Sequence, residues 1–228
     1  MLFFDPSMII LIPGILFGMW AQFMVQSRFE QYSKIPLSSG KTAAQVAREI
    51  LAANGLTNVP VERVAGHLSD HYDPRSNVVR LSDSVYNSTS IAAVGVAAHE
   101  VGHAIQHARH YFPISLRNAI FPLVQVASYS WLFLFMGGLL FSITGLAKLG
   151  LAFFAVVFVF QVITLPVEFD ASSCAIRLLP QLGFTTTKEN EGVKAVLWAA
   201  AMTYVAGMLQ SLLQIVRMLV LINGRSRD

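Results

Sequence analysis

The chain has one cysteine, Cys174, in 228 residues. That excludes an intrachain disulfide and a thiolate metal cluster, and it fits a reducing compartment. Charge is scarce as well: 13% of residues are ionisable Asp, Glu, Lys or Arg, with a net charge of +3. The basic residues form no stripe interleaved with aromatics, which argues against a nucleic-acid partner. No Lys or Arg precedes the first apolar run in "MLFFDPSMIILIPGILFGMWAQFMVQSR", and no A-x-A site follows it. The features of a cleaved secretory signal are therefore missing. No internal repeat or low-complexity tract is visible.

Hydrophobic residues dominate, at 54% with a mean hydropathy of +0.56. They fall in blocks, and a helix needs about 20 apolar residues to cross a bilayer. Met8 to Val25 is expected to be an uncleaved transmembrane helix within residues 1–25. Residues 119–167, with Lys148 as their sole ionised side chain, are long enough for two spans hinged near "GLAKLG". Residues 194–228 form a last apolar block, transmembrane or membrane-associated, interrupted by Gln210, Gln214 and Arg217. Arg28, Lys34, Arg109, Arg117, Arg177, Lys188 and Lys194 flank the spans on one face, against Lys148, Arg225 and Arg227 on the other. By the positive-inside rule the water-facing part is expected in the cytoplasm of a bacterial cell, beneath its plasma membrane.

That water-facing part, residues 26–118, holds all six histidines. "SSGKTAAQVAREILAANGL" reads as a capped helix with Val46, Ile50 and Leu51 on its apolar face, stopped at Asn54-Gly55. Val59 to His67 and Asn77 to Leu81 read as strands around an Asp73-Pro74 turn. "NSTS" offers N-caps for a helix from about Ser90 to His110.

On that helix lies "VAAHEVGHAIQHARH", which contains H-E-x-x-H. Residues four apart share a helix face, so His99 and His103 can present imidazoles to one cation. Glu100, rotated off that line, is the candidate general base: it would take a proton from water and pass it to the leaving amine. His107 is excluded as a third ligand, because it sits about 12 Å from His99 along the helix axis. The glycine turn that solves this in metzincins is absent, since Gln106 and Arg109 occupy the corresponding positions. His107 and His110 read as polar residues near the helix C-terminus.

A catalytic zinc usually has three protein ligands and an open position. The missing one is sought in "LPVEFDASSCAIR", within residues 168–193. Two spans separate it from the histidine helix, and an even number of crossings returns the chain to the same face. Glu168 is the leading candidate and Asp170 the alternative; Glu189 and Glu191 are weaker competitors in a solvated segment. If Glu168 is the ligand, Asp170 and Arg177 become candidates for orienting the ligands.

"SSGKTAAQVAREIL", "DHYDPRSNVVRLSDSVY", "VAAHEVGHAIQH" and "PVEFDAS" resemble the corresponding segments of the YugP-like family of bacterial membrane-bound neutral zinc metallopeptidases, over nearly the whole chain. More distantly the layout is similar to HtpX-like and Ste24-like peptidases. That resemblance implies H-E-x-x-H on a cytoplasmic-side helix and a glutamate ligand beyond a transmembrane hairpin. In those peptidases an aspartate typically follows the glutamate by four residues; here that position is Ser172.

The expectation is thus a multi-pass α-helical membrane protein with a small α+β, zincin-like catalytic domain. It would act as a Zn2+-dependent endopeptidase on a peptide or membrane-protein substrate. "NVVRLS" could pair as a strand with an extended substrate, placing Val79, Arg80 and Leu81 along it. His71 and Tyr72 are candidate transition-state donors. Two rival readings stand beside this one: a site-2-type intramembrane protease, and a non-catalytic zinc-binding membrane scaffold. Glu100 discriminates against the second, since a structural site has no need of a base beside its ligand.

Overall fold

The computed structural model describes residues 6–225. Arg227 and the side chain of Arg225, both counted in the charge argument, lie outside the described residues, as do residues 1–5. The elements run α1 (Ile12–Ser33, continuing a 3-10 turn Pro6–Leu11), α2 (Ala43–Ala53), β1 (Val61–Val64), β2 (His71–Asp73), β3 (Val78–Ser82), α3 (Ile91–Ala108), α4 (Phe112–Leu140), α5 (Thr144–Gln181) and α6 (Thr187–Arg225).

Among the described residues, four helical segments are long and apolar enough to cross a membrane: Pro6–Ser33, α4, α5 and Thr187–Gly224. Only 11–22% of the most apolar window of each is buried. Side chains such as Ile9, Phe23, Tyr129, Phe133 and Leu140 therefore face outward, which lipid favours and water does not. These features fit a multi-pass membrane protein.

The chain divides into two compact units. The described residues of the first are 6–21, 116–165 and 203–225. In it α4 and α5 turn back on each other through Phe141–Ile143, where Ser142 takes a left-handed φ of 57°. This turn falls just ahead of "GLAKLG", near which the hinge is expected; that segment is itself part of α5. Its Gly150 lets the backbone of Phe135 approach to 2.5 Å from where a Cβ would stand, so this glycine serves packing rather than bending. Phe135, Ala147, Phe154, Met218 and Ile222 form the buried cluster here.

The second unit, residues 22–115 and 166–202, carries the chemistry. Helix α2 starts with a capping box, in which the Thr42 hydroxyl accepts from the Gln45 N–H and the Gln45 side chain accepts from the Thr42 N–H. Such reciprocal capping satisfies two donors that a helix start otherwise leaves open. Its face of Ala43, Val46, Ala47, Ile50 and Leu51 is buried against α3. Ser90 caps α3, and the start of α6 lies close to it, with Val193 at 3.2 Å from a Cβ built on Gly95.

The sheet has order β1-β3-β2, with β1 parallel and β2 antiparallel to the central β3. The first strand is shorter than expected. It ends at Val64, because Gly66 (φ 118°) and Leu68 (φ 53°) leave the extended region before His67 can join the ladder. Asn77, at φ 54°, likewise delays β3 to Val78. The segment His71–Asp73, not expected as a strand, pairs with β3, and the turn expected around Asp73-Pro74 follows it.

Candidate metal centre and its surroundings

Helix α3 presents His99 and His103 one turn apart, their rings 4.7 Å between centroids. Helix α5 presents Glu168 from mid-helix, nearly fully buried. Its Oε2 lies 3.3 Å from His99 Nε2 and 3.6 Å from His103 Nε2, and the three ligand atoms all fall within 4.8 Å of one another. The helices can come this close because α3 has no side chain at Gly102. A Cβ there would stand 2.8 Å from the carbonyl oxygen of Ala171 on α5.

The far side of each imidazole is also engaged. His99 Nδ1 lies 3.1 Å from Ser172 Oγ, and His103 Nδ1 lies 3.0 Å from Gln106 Oε1. The buried Gln106 in turn donates through Nε2 to the Val167 carbonyl and to Asp170 Oδ2, each at 2.8 Å. Glu100 is buried beside the cluster, and its Oε2 accepts a hydrogen bond from the Tyr72 backbone N–H at 3.0 Å.

The donor set fits a zinc ion. Tetrahedral coordination with arms of about 2.0–2.1 Å has ligand-to-ligand edges of about 3.3–3.4 Å, close to the 3.3 and 3.6 Å measured here. The local field also favours a cation. Burial alone pushes the His103 imidazole down, but its bond to Glu168, the charges of Glu100 and Glu168, and Gln106 together raise it.

A family model described as "Putative neutral zinc metallopeptidase" matches residues 7–223. The chain belongs to this family. It is 51% identical over 210 residues to "Putative membrane protease YugP" of Bacillus subtilis (strain 168), an alignment covering 92% of this chain and 93% of that one. No solved structure matches. Membership makes the chain an enzyme, a zinc metallopeptidase, and its apolar helices agree with a bacterial membrane protein.

Among the residues singled out from the sequence, the peptidase brings His99, His103 and Glu168 together, with Glu100 alongside. Asp170 does not touch a ligand; it reaches His103 through Gln106 and pairs with Arg109 Nη2 at 3.8 Å. Helix α5 runs unbroken through Glu168 and Asp170. Arg177 contacts Cys174 Sγ at 3.9 Å and is not brought to the ligands. Glu189 accepts from the backbone N–H groups of Ser38 and Thr186, each at 2.7 Å, and Glu191 is exposed; neither joins the cluster.

The placement of Val79, Arg80 and Leu81 requires a correction. They lie on the central strand, where Val79 pairs with both Val61 and Tyr72, and Arg80 with both Glu62 and His71. With both edges taken at Val79 and Arg80, β3 has no free ladder for a substrate at those two residues, and Leu81 pairs with Arg63 of β1. Arg80 instead binds Asp73 at 2.9 Å. The Tyr72 hydroxyl donates to Asn77 Oδ1 at 2.7 Å and meets His107 Nδ1 at 2.9 Å, so His107 is tied to β2. The exposed His71 turns its Nδ1 to the Ser69 carbonyl at 2.8 Å. Sequence reasoning missed Gln106 and Ser172 as partners of the ligand histidines. The position of Ser172, four residues after Glu168, was the one available signal.

Proposed function

We propose that the chain hydrolyses peptide bonds of peptide or membrane-protein substrates at the cytoplasmic face of the bacterial plasma membrane. In this reading His99, His103 and Glu168 hold zinc within a zincin-like α+β domain, and Glu100 is the general base. The observation that carries it is the clustering of those three ligand atoms with a buried carboxylate on the residue next to the first ligand. When bound, the ion supplies Lewis acidity, acidifying water and polarising the scissile carbonyl.

The protein's own residues do the rest. Glu100 takes the proton of the attacking water and returns it to the leaving amine. The Tyr72 N–H holds the Glu100 carboxylate in place, which limits the reorganisation needed before transfer. His99, with a side chain 15% exposed against 3% for Glu168, marks the side from which a substrate approaches.

The edge strand supports a binding mode. The N–H of Tyr72 turns away from β3 toward Glu100. In an antiparallel ladder the N–H and C=O of one residue point the same way, so the Tyr72 carbonyl also belongs to the outer edge. An extended peptide laid along β2, rather than β3, would place its backbone beside the general base.

The test is a pair of variants of the full chain, purified in detergent, measured for bound metal and for cleavage of an unfolded protein substrate. Glu100→Gln is expected to keep its zinc and lose about 10²–10⁴-fold in rate. Glu168→Ala is expected to lose both. Cleavage by Glu100→Gln at the wild-type rate would overturn the assignment of the base. Full zinc content in Glu168→Ala would overturn the ligand set.

A further inference from the structure

An imidazole binds a metal through Nε2 only when its ring proton sits on Nδ1, and the partner of Nδ1 decides whether it does. For His103 that partner is the carboxamide of Gln106, whose oxygen only accepts and whose nitrogen only donates. The orientation of the amide is set at its other end. Nε2 faces the Val167 carbonyl and Asp170 Oδ2, each at 2.8 Å. Turning the amide over would set its oxygen against both of these oxygens, in a side chain with no exposed surface. The oxygen therefore faces His103, the Nδ1 of His103 must donate to it, and the lone pair falls on Nε2, 3.6 Å from Glu168 Oε2.

We infer that Gln106, anchored by Asp170, is the positioning residue that fixes His103 in its metal-binding tautomer. Asp170 thereby acts on the metal site from two bonds away. The same amide grips α5 at Val167 and Asp170, on either side of Glu168, so one side chain sets the ring of one ligand and the location of another. Helix α5 serves His99 more directly, through Ser172. The inference rests on the reading of His103 as a ligand, and the test separates the two.

The experiment is zinc affinity of the full-length protein in detergent, measured by competition with a chromophoric chelator. Gln106→Met, close in shape but without the amide, is expected to weaken zinc binding about 10–100-fold. Asp170→Asn keeps an acceptor for Gln106 and should stay close to wild type, whereas Asp170→Ala should weaken binding. In the Gln106→Met background Asp170→Ala should add nothing, because the relay is already cut. Unchanged affinity in Gln106→Met, or an undiminished Asp170→Ala effect in that background, overturns the proposal. His103→Ala is the control: if it binds zinc like the wild type, the ligand reading falls and the inference with it. If it loses zinc while Gln106→Met does not, the inference alone fails.

Should Gln106→Met not fold, the partly exposed Asp170 offers a second readout in the cobalt-substituted protein. The exchangeable Nδ1–H proton signal of His103 should exchange faster with solvent in Asp170→Ala, with that of His99 unaltered. Equal exchange in variant and wild type would overturn the relay.

Discussion

Two buried carboxylates sit in this pocket, and their partners separate their roles. Glu168 faces two imidazole nitrogens, whereas Glu100 faces a backbone N–H. A carboxylate held by one neutral donor remains available to accept a proton, while one aimed at two ring nitrogens is set up to share a cation with them. Tyr72 links Glu100 to the rest of the domain, through its hydroxyl bonds to Asn77 and His107. Tyr72→Phe removes those bonds and leaves the backbone N–H in place. It should lower stability by about 1 kcal/mol, read by thermal or denaturant melting of the zinc-loaded protein, while zinc content stays at the wild-type level.

At the scale of elements, the site depends on how closely α3 and α5 approach. Gly102→Ala would push a methyl group against the Ala171 backbone, which cannot rotate out of the way as a side chain could. We expect about 1–3 kcal/mol of destabilisation and weaker zinc binding, measured by melting and by chelator competition. The β2–β3 turn gives a pH signature. Asp73 accepts from the Ser76 hydroxyl, the Arg80 guanidinium and the Arg75 N–H, which hold its carboxyl well below the usual carboxylate range. A carboxyl depressed in the folded state contributes stability above its unfolded value of about 3.9 and loses it as pH falls toward the folded value. Asp73→Asn should therefore flatten the acid limb of the stability curve below about pH 4, with little change in its slope near neutrality.

These elements were unequally legible. The helices announce themselves by apolar blocks, by the Thr42 and Ser90 caps, and by the spacing of Val46, Ile50 and Leu51. His71–Asp73 has no alternation and three polar or amphipathic side chains, and it becomes a strand only because β3 lies alongside. The metal cluster could be sought in the sequence because H-E-x-x-H is local and because counting bilayer crossings narrows the third partner to one segment. Gln106 and Ser172 are ordinary polar residues on ordinary helices. Their meaning arises from the contact of α3 with α5, which no local pattern encodes.

For the whole molecule, orientation decides which compartment supplies substrates. Cys174 is buried, so a cysteine placed at the exposed position Ala53 gives a clean reporter. In intact cells Ala53→Cys should resist a membrane-impermeant maleimide and react only after permeabilisation. Labelling of intact cells would put the domain outside and overturn the cytoplasmic assignment. The same charge distribution that motivates this leaves few ionised groups inside the most apolar stretches of the four helical segments.

Because Glu168 is carried by the same unbroken helix as the apolar run before it, the metal site is not contiguous in the gene. A fragment ending at Ser115, ahead of the α4–α5 hairpin, would keep His99, Glu100 and His103 but lack Glu168, which completes the cluster. A version without the first unit must join residues 22–115 to residues 166–202 through an artificial connector, so that Glu168 is kept with the two histidines. Simple truncation would yield a protein that folds in part and binds metal poorly, and its inactivity would say nothing about the parent enzyme.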